Sequence, residues 1–226
     1  DNLSEVNITV YLRQLSSRLL RSIIGSKRNI TVVIQPENDS ILMNINVAIP
    51  IGLILNELIT NALKYAFTGK TKGEINRDRS KQFIENLGVE FRKFYSSDES
   101  VKIFTKHFTG NKKEFGLNEL LYDLLICETN TANSIHGKPL NFVTKALWQV
   151  ESELAKDTRQ SIFDFNKLII GAGDNKLFIG PQVNDQEKYI SLLGDLAKYC
   201  SGNVFLALIT HPSEWEKEII VKYWRF

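Results

Sequence analysis

Amphipathic segments with the period of a helix alternate along this chain with short apolar runs rich in β-branched residues. The helical segments of the longer, second part are residues 77–95, 158–171 and 184–200. The apolar runs there that predict strands are residues 101–108, 117–128, 146–154, 176–179, 203–210 and 218–224. Because helices that alternate with strands cover the faces of the sheet that the strands form, the pattern predicts an α/β fold.

The first part of the chain follows the same alternation on a smaller scale. We expect a helix over residues 7–24, a strand over 30–34 and a short extended piece at 41–45. A second helix is predicted over residues 51–66, with Pro50 in its first turn. The composition changes near residue 75, where aromatic residues and lysine become more frequent. We therefore predict two domains, residues 1–75 and residues 77–226.

Composition and charge restrict the class of protein. The chain has 226 residues, of which 43% are hydrophobic and 24% charged, and its formal net charge is +2. These values exclude disordered and collagen-like chains, and Cys127 and Cys200 are too few to form a disulfide framework or a metal-ligand spacing. The presence of only two cysteines indicates a reducing compartment, so a cytoplasmic location is expected. No apolar run reaches the roughly 18 residues of a membrane span, so no membrane contact is expected.

Polar residues on the second helix of the first part are candidates for a site that binds a metal ion and phosphate groups. Glu57 and Asn61 are four residues apart and share a helix face, and Lys64 lies one turn further on. A carboxylate, an amide and an amine on one face could hold a metal ion and its phosphates. The alternative is an amphipathic helix whose polar face is only solvated.

The complete string AIPIGLILNELITNALKYAF, residues 48–67, resembles the N-box of sensor histidine kinases and their ATPase relatives. This resemblance implies that Asn61 would hold Mg²⁺, that Glu57 would order a nearby water or base, and that Lys64 would face the phosphates of ATP. Asn56 matches the box as well. No DxGxG string for the adenine follows, and no second glycine-rich box. Residues 1–75 are therefore predicted to be a truncated α+β segment of the histidine-kinase ATPase type.

Three carboxylates in the second part predict a metal site. Asp123 interrupts an otherwise apolar run, and an isolated buried carboxylate is costly unless it is paired or bound to a metal. Glu151 and Glu153 are two residues apart on a predicted strand, so their side chains point the same way and repel unless a cation separates them. Such an oxygen-rich set suits Mg²⁺. The alternative is that both glutamates face solvent on an edge strand.

The order of elements adds a second resemblance. A helix, a strand, an Asp-bearing strand, a Glu-x-Glu strand and a helix follow one another, with the strings ELLYDL (119–124), QVESE (149–153) and DFNKL (164–168). This order resembles the PD-(D/E)XK superfamily, which includes many restriction endonucleases. The resemblance implies a mixed sheet flanked by helices.

The same resemblance implies roles for individual residues. Asp123 and Glu151 would ligate Mg²⁺, and Glu153 would occupy the place of the usual lysine. Lys167, on the following helix, would supply the missing ammonium group. With these roles, the metal would activate water for attack on a phosphodiester.

These patterns predict a Mg²⁺-dependent nuclease of the restriction-endonuclease type, fused to a truncated kinase segment. DNA is the expected substrate, and a second copy of this chain is a further expected partner. One alternative is a signalling protein derived from a sensor histidine kinase, which would bind ATP and take part in two-component phosphotransfer. Another is a catalytically inactive fusion that acts as an interaction module.

Overall fold

The computed structural model describes residues 5–24, 31–36, 41–65, 72–211, 214 and 218–226. The strands, in chain order, are β1 (Glu5–Asn7), β2 (Thr31–Pro36), β3 (Leu42–Asn44), β4 (Val101–Thr105), β5 (Leu124–Asn133), β6 (Pro139–Ser152), β7 (Asn175–Pro181), β8 (Asn203–Ile209) and β9 (Glu218–Arg225). The helices are α1 (Ile8–Ile24), α2 (Ile45–Tyr65), α3 (Lys72–Phe94), α4 (Lys112–Phe115), α5 (Thr158–Ile170) and α6 (Gln186–Ala197), and a 3-10 turn at Thr109–Asn111 precedes α4.

Within the described ranges, seven strands form one mixed sheet in the order β2-β9-β8-β7-β6-β5-β4. Strands β4, β5 and β6 are antiparallel neighbours, whereas β6 and β7 run parallel, as do β2 and β9. Strands β1 and β3 form a separate antiparallel pair. Parallel neighbours need a crossover connection, and helix α5 provides it between β6 and β7. The fold is therefore α/β, with a seven-stranded mixed sheet flanked by helices, as predicted at that level.

The chain divides into two compact units, the first made of residues 1–87 and 208–224 and the second of residues 88–207 and 225–226. In the first unit, buried apolar side chains of α1 and α2 form the core, among them Ile8, Leu12, Ile54, Leu55 and Ile59. The predicted join near residue 75 lies inside α3, and the division between the units falls between Leu87 and Gly88. The assignment of two functional domains stays a prediction.

The second unit is built around the antiparallel hairpin of β5 and β6. Ile126 lies opposite Trp148 in the register, both are buried, and the indole of Trp148 stacks on Phe205 with 5.6 Å between ring centroids. Phe165 of α5 packs against Phe178 of β7, with 5.5 Å between centroids. Burying a side chain of this size contributes about 1.5–3 kcal/mol. These contacts fix α5 against β7, the parallel neighbour of β6.

Helix α2 begins earlier than predicted. It starts at Ile45 rather than at residue 51, because the side-chain oxygen of Asn44 accepts the backbone N–H of Asn46 at 2.9 Å and caps the helix there. Pro50 consequently lies inside the helix and not in its first turn.

The strand that was predicted to contain Asp123 is also displaced. Strand β5 begins at Leu124, so Asp123 lies immediately before it, and the prediction of a carboxylate inside a buried strand was wrong. Similarly, β6 ends at Ser152, so Glu153 lies just beyond the strand. Strand β5 extends instead through Asn133, because its polar second half pairs with the first half of β6. Both corrections place the acidic residues at strand ends rather than within strands.

Candidate functional site

Asp123 lies immediately before β5 and is held there by the end of β6. Its Oδ2 atom accepts two hydrogen bonds from Ser152, one from the backbone N–H at 2.9 Å and one from the hydroxyl at 2.8 Å. Burial raises the pKa of the Asp123 carboxyl above its ordinary value, and the hydrogen bonds from Ser152 and the charge of Lys167 oppose that increase. The carboxyl end of β6 therefore fixes the position of this carboxylate.

The backbone just before Asp123 is strained. Among the described residues, Leu121 is the one non-glycine residue with a positive φ, 67°. The N–H of Tyr122 donates to the carbonyl of Leu120 at 2.7 Å, which closes a three-residue γ-turn around Leu121. A bulky residue in this conformation costs about 1–3 kcal/mol, and such strain is concentrated at functional sites. Since the Leu121 side chain is 54% exposed, its burial does not compensate for the strain.

Glu151 is the most unusual carboxylate of the second unit, because its side chain is only 1% exposed. Its Oε2 atom is 3.0 Å from Nζ of Lys167, whereas its Oε1 atom is buried and has no hydrogen-bond partner within the described chain. Burial raises the pKa of Glu151 to about 8; the charge of Asp123 adds to this increase, and Lys167 opposes it. A buried carboxylate oxygen without a partner is costly, and an incoming cation would satisfy it.

Lys167 reaches Glu151 from α5, the helix that follows β6. The helix begins at Thr158 because the side chain of Asp157 caps it, accepting the N–H of Arg159 at 2.9 Å. Nζ of Lys167 also lies 2.9 Å from Oδ1 of Asp164, one turn earlier on α5. Burial opposes the charged form of this amine, but its hydrogen bonds to Asp164 and Glu151 raise the Lys167 pKa above the ordinary value. The ammonium group is therefore charged and contacts the carboxyl groups of both Glu151 and Asp164.

Glu153 is part of the same electrostatic neighbourhood but has a different environment. Its Oε1 atom accepts the backbone N–H of Ala155 at 2.6 Å, and its own N–H donates to the carbonyl of Ile179 at 2.9 Å. Burial raises the pKa of Glu153, and the charges of Asp164 and Asp123 add to the increase while the Ala155 hydrogen bond opposes it. The Glu153 side chain is thus engaged in the turn that follows β6.

The loop that contains Gly171 and Gly173 contacts β6 beside the site. The N–H of Gly173 donates to Oε1 of buried Gln149 at 3.0 Å, and a Cβ atom at Gly173 would lie 2.8 Å from the Gln149 side chain. Nζ of buried Lys176 also donates to the carbonyl of Gly173, at 3.1 Å. These contacts give Gly173 a packing role that sequence inspection did not reveal.

The arrangement offers two oxygens to a hard cation. Oε1 of Glu151 has no partner, and no hydrogen bond from a described residue reaches Oδ1 of Asp123. Within the described residues, no group of three or more histidine, cysteine, aspartate or glutamate side chains is placed to hold a metal ion. Mg²⁺, however, is commonly bound by one or two carboxylates together with water and substrate phosphates. The chemistry of Asp123 and Glu151 therefore fits Mg²⁺.

The candidate nucleotide residues lie on α2 of the first unit. Glu57 is buried, and its Oε1 atom accepts a long hydrogen bond of 3.4 Å from the amide of Asn56. Asn61 and Lys64 continue the helix, but their side chains lie outside the described part of the structure. The predicted ATP site therefore stays a prediction.

The sequence patterns predict Asp123, Glu151, Glu153 and Lys167 as site residues, but they do not predict two polar neighbours of this cluster. These are Ser152 and Asp164, which bind Asp123 and Lys167 respectively. Asp164 could have been found from its spacing of three residues from Lys167 on a predicted helix. Ser152 gave no comparable signal.

Comparison with protein-family models, with curated proteins and with solved structures finds no match to this chain. None of the helices in the described ranges combines the length and the apolar character that crossing a membrane requires.

Proposed function

We propose that this protein is a Mg²⁺-dependent nuclease that hydrolyses phosphodiester bonds of DNA at Asp123, Glu151 and Lys167. The observation that carries the proposal is the environment of Glu151. This fully buried carboxylate has one oxygen on the ammonium of Lys167 and the other without a partner, and it is coupled electrostatically to Asp123. Perturbed carboxylates of this kind are concentrated at functional sites.

The order of elements supports the same proposal. Helix α3, strands β4, β5 and β6, and helix α5 occur in the order on which the PD-(D/E)XK resemblance is based, with the 3-10 turn and the short helix α4 between β4 and β5. Asp123 precedes β5, Glu151 lies near the end of β6, and Lys167 lies on α5. An acidic pair with a lysine on the next helix agrees with the roles implied by that resemblance, and DNA follows from it as the substrate class.

The mechanism assigns a separate task to each side chain. Oδ1 of Asp123 and Oε1 of Glu151 would hold Mg²⁺, which supplies a Lewis acid for the phosphate and a water of lowered pKa when bound. Lys167 would donate to a nonbridging oxygen of the scissile phosphate and stabilise the negative charge that develops there. Asp164, 2.9 Å from Nζ of Lys167, would hold this ammonium group in position for the phosphate. Glu153 accepts the N–H of Ala155, so its role would be to orient the backbone that follows β6.

The test is cleavage of supercoiled plasmid DNA by the wild-type chain and by Glu151→Ala, with Mg²⁺ or with EDTA. We expect nicking by the wild type in Mg²⁺, none in EDTA, and a loss of at least about a hundredfold in the variant, in the range of losing one charge-stabilising group. Glu99→Ala is the matched control, because Glu99 is an exposed carboxylate in the turn before β4. Equal activity in wild type and Glu151→Ala, or none in either, would contradict the proposal.

A further inference from the structure

We infer that Ser152 is a positioning residue, which fixes the rotation of the Asp123 carboxylate so that Oδ1 faces the cation. The inference rests on the proposed function, because it concerns the same metal site. It assigns a role to the middle residue of the Glu151-Ser152-Glu153 string, which the motif itself leaves unspecified.

Both donors of Ser152 converge on a single oxygen. The backbone N–H and the hydroxyl lie 2.9 and 2.8 Å from Oδ2 of Asp123, and within the described chain no hydrogen bond reaches Oδ1. Two donors on one oxygen oppose rotation of the carboxylate about its Cβ–Cγ bond, because rotation would break both hydrogen bonds. They also favour the ionised form against the effect of burial. Asp123 is therefore held in one orientation, with Oδ1 as the oxygen left available to a cation.

The position of Ser152 in the chain connects the two carboxylates. Ser152 follows Glu151 directly at the end of β6, so the same short piece of backbone supplies the Glu151 carboxylate and the two donors to Asp123. Backbone pairing of Glu151 with Phe178 and of Ser152 with Ile179 on β7 makes this piece rigid. Residues that orient metal ligands in this way typically change metal affinity by about ten- to a hundredfold when they are removed.

The experiment measures Mn²⁺ affinity by electron paramagnetic resonance titration of the full chain, with no nucleic acid present. The variants are Ser152→Ala, which removes the hydroxyl donor, and Ser152→Thr, which keeps it. Ser134→Ala is the control, because it removes another hydrogen-bonded serine hydroxyl, one that accepts the backbone N–H of Lys138 at 2.9 Å in the β5–β6 turn. We expect about tenfold weaker binding for Ser152→Ala. Ser152→Thr and Ser134→Ala should bind like the wild type.

Each outcome separates this inference from the proposed function. Mn²⁺ binding by the wild type with unchanged affinity in Ser152→Ala overturns the role of Ser152 and leaves the nuclease proposal standing. No Mn²⁺ binding by the wild type overturns both. Should Ser152→Ala fail to fold, Ser152→Cys replaces it, because the thiol keeps the volume but donates weakly. Weakened binding by Ser152→Cys then supports the inference, and wild-type binding overturns it.

Discussion

Glu151 combines features that rarely occur in one side chain. It is almost completely buried, one of its oxygens has no partner, and the other contacts a charged lysine. Desolvation raises the pKa of a buried carboxyl because it penalises the charged form, and here the effect exceeds the contribution of Lys167. Because burial raises its pKa, the Glu151 carboxyl makes the folded chain less stable at neutral pH than at acidic pH, and perturbed carboxyl groups of this kind are concentrated at functional sites.

The Glu151 carboxyl predicts a pH dependence of stability. Its pKa is raised from an ordinary value of 4.5 to about 8, so the folded state binds the proton more tightly than the unfolded state does. The contribution of this carboxyl to the free energy of unfolding is fully present below its ordinary pKa of 4.5 and is lost as the pH rises through about 8. In EDTA, we expect the free energy of unfolding to decrease between pH 5 and pH 8.5, as measured by urea titration.

In Glu151→Gln, the free energy of unfolding should fall less between pH 5 and pH 8.5 than in the wild type, because the titrating group has been removed. In Glu99→Gln it should fall as much as in the wild type. An equal decrease in the wild type and in Glu151→Gln would contradict the assignment.

At the scale of elements, strand ends determine where the site residues lie. The helix that carries Lys167 could be predicted from the sequence, because its apolar residues recur with the period of a helix, and α5 is present over nearly the predicted range. The start of β5 could not be predicted, because the run before Asp123 is rich in leucine and reads as a strand. The γ-turn at Leu121 contains no glycine or asparagine from which a turn with positive φ could be predicted.

The strained turn at Leu121 predicts how a glycine substitution there changes the stability of the protein. Leu121→Gly should leave the free energy of unfolding unchanged or raise it by up to about 1 kcal/mol, since relief of strain offsets the added chain entropy. Leu117→Gly is the control, because Leu117 is also partly exposed but lacks a positive φ, and it should lower that free energy by about 1 kcal/mol. Chemical unfolding of both variants measures the difference. A larger loss for Leu121→Gly than for Leu117→Gly would contradict the strain at this turn.

For the whole molecule, the alternation of helices and strands was enough to predict the α/β class, but it could not predict how the chain divides. Strand β9, the last strand in this sequence, pairs in parallel with β2, and its residues 218–224 belong to the first compact unit. Such a pairing depends on contacts between residues far apart in the sequence, which local periodicity does not encode. The contacts of Ser152 with Asp123 and of Lys167 with Glu151 depend in the same way on which strands and helices become neighbours.

The central claim is that Asp123 and Glu151 together bind a catalytic divalent cation. It is tested most directly by the anomalous scattering of Mn²⁺ in crystals of the full chain. The account predicts one anomalous peak about 2.1 Å from both Oδ1 of Asp123 and Oε1 of Glu151, the distance at which Mg²⁺ binds oxygen. The same crystals should show Oδ2 of Asp123 still bound to Ser152. No peak between the two carboxylates, with Lys167 alone contacting Glu151, would contradict it.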